Sequence, residues 1–352
     1  MREHLGEDAE VLVRDSAAVG PGRAAAGLLR GGLDPDEVAR AVRRTRARIV
    51  HAHNLHPTYG WRALAAARAA GAAVVLHLHQ YRLVCAIGVC FRDGHECTRC
   101  HGRNTLPGVR LNCRDSVAEA VAYGGGLAAW QRRLADQVDA FVTPSRFAHG
   151  RLEQLGAPLG ATFVVPHVVR EVAETPPAAR GRHALLAARL VPEKGVEVAV
   201  EACRQAGLPL VIAGDGPERP RLEPRAAAAG ATFLGRLDPV ELGRLRREAA
   251  VALMPSLAAE TFGLAAAEAM ADGVPAAASA VGGLPELVPG EWLAPPGDPP
   301  ALAATIRRVV ADTTAPGMAL DRARAVCAPA VVAPALGAVY DQAMTRAGGR
   351  AT

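Results

Sequence analysis

Short apolar runs alternating with alanine-rich helical patterns predict an α/β protein with parallel sheets in two domains. Three observations point there. The chain has 352 residues, half of them hydrophobic, which is enough for two separate cores. β-branched or apolar runs recur between longer segments with helical spacing of apolar residues. The stretch from Glu171 to Arg182 holds Pro176, Pro177 and Gly181 and reads as a linker.

Taken in order, the strands expected in the first half are Glu10–Arg14, Arg48–Ala52, Ala73–Leu78, Ala140–Thr143 and Thr162–Val165. Those expected in the second half are His183–Ala188, Pro209–Ala213, Thr232–Leu234, Val251–Met254 and Ala276–Ser279. The boundary is placed near residue 175. This gives an N-terminal domain over 1–174, a C-terminal domain over 175–330, and a terminal helical segment over 331–352. That segment is expected to pack back on the first domain. Two such halves facing each other would put a ligand cleft at the strand C-terminal ends.

Composition excludes some classes. Net charge is +5, from 40 basic and 35 acidic residues. They are spread along the chain, and no dense basic tract marks a nucleic-acid surface. No uninterrupted apolar run reaches membrane-spanning length, so the expectation is at most a peripheral membrane association. The charged start, Met1-Arg2-Glu3-His4, lacks an apolar signal core, and the reading is cytoplasmic. The seven cysteines are then expected as thiols or metal ligands.

The most informative segment is Glu260-Thr261-Phe262-Gly263-Leu264-Ala265-Ala266-Ala267-Glu268. A helical pattern runs from Leu264 to Ala271 behind an apolar run, Val251 to Met254. At 1.5 Å rise per residue the two carboxylates would stand roughly 12 Å apart along a helix axis. That separation suits a ligand with hydroxyls at both ends and an anion between, held by free N–H groups of the helix start. A nucleotide sugar has this layout. Two solvated glutamates on a surface helix are the competing explanation.

Arg189 and Lys194 flank the loop Leu190-Val191-Pro192-Glu193 at a strand-to-helix corner, where open sheets bind ligands. Two fixed cations there would stabilise a departing diphosphate without a metal. Gly214-Asp215-Gly216-Pro217 ends the next strand and also fits a plain tight turn. Phe233-Leu234-Gly235-Arg236-Leu237 precedes Asp238-Pro239, an N-cap followed by proline at the first helical position. Gly282-Gly283-Leu284-Pro285-Glu286 follows another strand and permits close backbone approach.

This ordered set, from Ala188-Arg189-Leu190-Val191-Pro192-Glu193-Lys194-Gly195 through Glu260-x7-Glu268 to Gly282-Gly283-Leu284-Pro285-Glu286, resembles the donor domain of family 4 retaining glycosyltransferases. The resemblance covers the whole second half and implies the GT-B fold, two Rossmann-like parallel-sheet domains facing a cleft. It implies that Arg189 and Lys194 hold the donor diphosphate and that Glu260 binds the donor sugar's hydroxyls. Glu268 would grip the ribose. The backbone of Phe262, Gly263 and Leu264 would meet sugar and phosphate, and that around Arg236 and Leu237 the base. Gly214 is assigned to donor binding with them. The implied activity is glycosyl transfer from a nucleotide sugar, expected to be a UDP-sugar, with retention and with no cofactor for catalysis. The departing phosphate oxygen would serve as base. The acceptor is open: a small molecule, a lipid-linked sugar or a polysaccharide. A nucleotide-sugar epimerase and a degenerate, non-catalytic binding protein are the alternatives.

In the first half, His51 and His53 end one strand, and His77 and His79 end another. Alternation puts His77 and His79 on one face, where metal binding, catalysis or packing are all open. The resemblance maps His79 onto a residue facing the donor sugar, with Gln80 where Asn or Asp is usual. Five cysteines follow. Cys97-x2-Cys100 has the spacing of a tetrahedral metal knuckle. With Cys85 and Cys113 it makes a four-thiolate set for a structural zinc, Cys90 being spare. The zinc would fold the loop 85–113 near the acceptor mouth. Free thiols or an oxidised pair are the alternatives.

Family members usually begin with an apolar strand, a Gly-rich loop and a long helix. Here Met1 to Val13 resembles the end of that helix and the second strand. By this reading the first strand and loop are absent from the sequence, and the expectation is a shortened gene model whose start lies upstream, the alternative being a protein that has lost part of its site.

Overall fold

The computed structural model describes residues 9–15, 18–177 and 181–350. Contacts divide the chain into two units. The first holds residues 1–92, 97–165 and 333–352, and the second holds 93–96 and 166–332.

In the first unit, strands β1 (Ile49–His53), β2 (Ala73–His77), β5 (Ala140–Thr143) and β6 (Thr162–Val164) form a parallel sheet in the order β1-β2-β5-β6. The two-residue strands β3 (Phe91–Arg92) and β4 (His95–Glu96) lie between β2 and β5 in sequence. β2 and β5 are buried along their whole length, which is why they read as unbroken apolar runs. Helices 36–45, 60–69 and 146–154 supply Val38, Val42, Leu64, Ala67 and Leu152 to this core. Ser145 caps the last of them, its Oγ accepting from the Ala148 N–H at 3.0 Å. The expected strand Glu10–Arg14 does not form. The segment joins no ladder, and Arg14 instead donates to the Leu33 carbonyl at 2.8 Å and to Glu37. The reading of Met1–Asp8 as a helix end lies outside the described residues.

The second unit carries β7 (Ala184–Ala187), β8 (Leu210–Ala213), β9 (Ala231–Gly235), β10 (Val251–Met254), β11 (Ala276–Ser279) and β12 (Leu293–Ala294). Their order is β12-β11-β10-β7-β8-β9, all pairs parallel. The chain starts in the middle of this sheet, runs to one edge, then returns to build the other side. That is the doubly wound order, and its reversal point lies between β7 and β10. Leu186, Ile212, Val251, Leu253, Ala266 and Met270 fill the core.

The division falls at Val165–Pro166, before the expected position near 175. The reason is local: the Val169 N–H donates to the Cys327 carbonyl, and the Ala173 N–H to the Ala271 carbonyl. The linker-like stretch thus begins as part of the second unit. The terminal helix, Pro329–Gly349, groups with the first unit from residue 333. There the Tyr340 hydroxyl is hydrogen-bonded to His51 Nδ1 at 2.8 Å, and Arg350 pairs with the buried Asp139. The stretch Ala315–Gly349 is long and apolar enough, by length and composition, to cross a membrane. In this structure Ala319, Leu320 and Ala323 are buried in the second unit, and Val339 and Ala343 in the first.

Candidate active site

A cavity of about 480 Å³ opens at the C-terminal ends of β7, β8 and β10, at the reversal point of the second unit's sheet. This is within the usual range for a small-ligand pocket. Arg189, Gly214, Arg236, Leu237, Leu264 and Glu268, all named from the sequence, line it. Lys194, Glu260, Phe262 and Gly263 belong to the same unit but are not among its walls.

Each of these residues is placed by its loop. Gly195 has φ +63°, and a Cβ there would meet the Pro255 carbonyl oxygen at 2.0 Å. The Leu257 N–H donates to the Glu193 carbonyl at 2.9 Å. The loop after β7 is therefore clamped to the loop after β10. The result is the pair Lys194–Glu260, Nζ to Oε1 at 2.6 Å. Ser256 Oγ donates to the same oxygen at 2.6 Å. Behind Glu260, the Gly283 N–H donates to its carbonyl at 2.7 Å, and a Cβ on Gly282 would collide with its backbone. The Gly-Gly loop thus supports the site from behind.

Gly214 has φ +143°, and a Cβ would stand 1.9 Å from the Ala188 carbonyl oxygen. Only glycine lets these two strand ends meet here. The helix Leu264–Ala271 begins on Gly263, at φ +105°, with no side-chain cap. Its first N–H groups and the positive end of its dipole suit an anion. The helix spans the residues expected, but Glu260 lies before its start. The roughly 12 Å separation along one axis therefore does not apply, since Glu260 is held by the clamped loops.

Glu268, within that helix, accepts from Arg246 at 2.8 Å. Arg246 also donates through Nε to Asp272 Oδ2 at 2.5 Å. Sequence reasoning missed Arg246, Ser256 and Asp272. Arg246 sits among basic residues in the last turn of helix 239–247, which reads as ordinary helix-end chemistry. No spacing signal singles it out.

In the first unit, the imidazoles of His51, His53, His77 and His79 stack, with neighbouring centroids 4.4–5.4 Å apart. His53 Nδ1 and His79 Nε2 are 2.6 Å apart and share one proton as a hydrogen bond. Burial lowers His51 to about 3, and His53 and His79 to about 4, so these three imidazoles are neutral near pH 7. One ligand atom each from His51, His53 and His77 lies within 4.8 Å of the others, close enough to hold a metal ion.

The five cysteines of the insert, Cys85, Cys90, Cys97, Cys100 and Cys113, line one small cavity. All are free thiols in this structure. The spacing picked four of them; the fold brings Cys90 to the same place.

Residues 172–325 match the family described as glycosyl transferases group 1, and residues 2–167 match the glycosyl transferase 4-like domain. The chain is 40% identical over 147 residues to the 2-deoxystreptamine glucosyltransferase of Streptomyces kanamyceticus, covering 38% of each. It is 32% identical over 236 residues to a GDP-mannose-dependent alpha-mannosyltransferase of Mycolicibacterium smegmatis, covering 62% of each. The aligned parts are thus under two thirds of these relatives' lengths. Anabaena HepE, solved with UDP and glucose, superposes at a TM-score of 0.61 with 16% identity, covering 87% of this chain and 81% of that one. The parallel sheets of both units and the two adjoining domain matches, which together span residues 2–325, give this chain the GT-B fold of glycosyltransferases, with a glycosyl transferase 4-like first part and a glycosyl transferases group 1 second part.

Proposed function

We propose that this protein transfers a sugar from a nucleoside-diphosphate sugar, a UDP-sugar in the first instance, to an acceptor hydroxyl with retention at the anomeric carbon. The observation that carries this reading is the pair of anchored carboxylates that follow β10, Glu260 on the loop and Glu268 in the helix behind it. Glu260 is held by Lys194 and Ser256, and Glu268 by Arg246 beside the 480 Å³ cavity.

In this reading Glu268 binds the ribose hydroxyls and the backbone around Arg236 and Leu237 meets the base. Gly214 lets the donor approach the strand ends. The helix start at Phe262, Gly263 and Leu264 receives the diphosphate, with Arg189 and Lys194 as counter-charges. Glu260 binds hydroxyls of the sugar. When Lys194 turns toward the phosphate, Ser256 keeps Glu260 hydrogen-bonded, so the carboxylate is not stranded. The C1–O bond to phosphate breaks and the C1–O bond to the acceptor forms. The acceptor's proton passes to the departing phosphate oxygen, and the two cations stabilise the charge left on the diphosphate. Glu260 already accepts from two donors, which suits it to binding rather than to nucleophilic attack. His79 is assigned its role toward the sugar on the resemblance alone.

The relatives' names include a GDP-mannose-dependent enzyme, and HepE was solved with UDP, so the base is tested directly. Calorimetric titration of UDP and of GDP into the chain is expected to show saturable UDP binding. Saturable binding of GDP alone would overturn the choice of base. Binding of neither, by folded protein, would overturn the transferase reading and favour a degenerate relative.

A further inference from the structure

We propose that the five-cysteine cavity of the first unit is a metal centre, in which the thiolates of Cys85, Cys97, Cys100 and Cys113 hold a soft metal and Cys90 lies beside them without ligating it. This inference is independent of the glycosyl-transfer reading.

The first support is convergence. Cysteines spread over 85–113 meet at one cavity of about 20 Å³, enclosed by Ile87, Phe91 and Leu111. A void of that size in an apolar wall admits about one small group. The second is a cationic donor at one of the sulfurs. Arg92 donates to the Cys113 sulfur at 3.6 Å. A donor to sulfur is what a metal-bound thiolate requires from its outer shell. Arg92 and Arg99, both on the cavity wall, offset the negative charge that four thiolates would leave on a divalent ion.

The third support is the insert's own weakness. Its regular structure is two strands of two residues and the helix Leu106–Arg110. Cys90, Asp93, Asn112 and Asp115 sit at positive φ, which non-glycine side chains adopt at a cost. A segment this irregular needs a staple, and a metal held by thiolates supplies folding free energy directly.

Two occupants share this ligand chemistry, one zinc ion and an iron–sulfur cluster. Among the described residues, no three cysteine sulfurs come within 4.8 Å of one another. Four sulfurs around a single zinc, each at about 2.3 Å, would stand roughly 3.8 Å apart. One zinc therefore requires the insert to contract. The corners of a four-iron cluster hold their sulfurs farther apart, and that occupant instead requires the 20 Å³ void to widen.

The test is elemental and acid-labile sulfide analysis of the full chain, purified without oxygen and without a metal-affinity step. One zinc per chain, or iron with matching sulfide and visible charge-transfer absorption, supports the centre and names its occupant. Cys90→Ser is expected to keep the metal, and the pair Cys97→Ser with Cys100→Ser to lose it. Metal lost from Cys90→Ser but kept by Cys85→Ser would overturn the ligand set. Wild-type chain with no metal, whether its seven cysteines titrate as free thiols or as disulfides, would overturn the proposal, and that measurement needs no variant to fold.

Discussion

Replacing Glu268 by alanine separates nucleotide binding from stability. In the proposed complex its carboxylate accepts two hydrogen bonds from the ribose. Hydrogen bonds to a charged group contribute about 1.5–3 kcal/mol each, and part of that returns when water fills the space. A net loss of about 3 kcal/mol corresponds to roughly a hundredfold weaker binding. The folded chain should hardly notice. The Glu268 side chain is 39% exposed, so its pair with Arg246 is worth under about 1 kcal/mol. Arg246 keeps Asp272 as a partner at 2.5 Å. Position 268 lies inside the helix Leu264–Ala271, where alanine is favoured over glutamate by a few tenths of a kcal/mol. The assay is calorimetric titration of UDP, with a thermal melt on the same samples. Glu260→Ala is the control. It is expected to leave UDP affinity within threefold of wild type, because UDP has no sugar, while abolishing transfer. Unchanged UDP affinity in Glu268→Ala, or a loss matched by Glu260→Ala, would show that the ribose is not where this reasoning puts it.

Other outcomes follow from the same geometry. Gly214→Ala is expected to destabilise by about 3 kcal/mol or more, since the new Cβ would meet a carbonyl oxygen at 1.9 Å and φ is +143°; a urea midpoint equal to wild type would sink this. Lys194→Met should lower kcat about 10²–10³-fold by removing a counter-charge to the leaving diphosphate, while Ser256 keeps Glu260 hydrogen-bonded; kcat within threefold would argue against that role. Acid should destabilise the first unit. His53 and His79 titrate at about 4 when folded and near 6.5 when unfolded, so the unfolded chain binds more protons between these values. Stability is therefore full above about pH 6.5 and falls as pH drops toward 4, by about 2 kcal/mol at pH 5 for one such histidine. Denaturant midpoints at pH 7.5 and 5.0 read this directly, and a His53→Asn variant with an undiminished pH slope would refute the assignment.

Much of this protein was legible in its sequence because the signals are local. The strands β5, β10 and β11 and the helix Leu264–Ala271 have the bounds that apolar runs and helical spacing predict. The glycines at 195, 214, 263 and 282 mark places where the backbone must take positive φ, and such needs are written residue by residue. What local pattern misses is pairing across the chain. Arg14 reads as part of a strand, yet only the position of Leu33 and Glu37 decides that it bonds there instead of extending a sheet. Arg246 reads as a helix-end cation, and only the side-by-side packing of its helix and Glu268's makes it part of the site. Cys90 looked spare by spacing, and the turn at Gly88 brings it to the other four. The chain's own residues determined the two parallel-sheet domains, the order of the donor motifs and the charges they carry, because periodicity, turns and caps act over a few residues. Which side chains meet was decided by the tertiary structure alone, because side chains distant in sequence touch only after packing has fixed the register of whole elements.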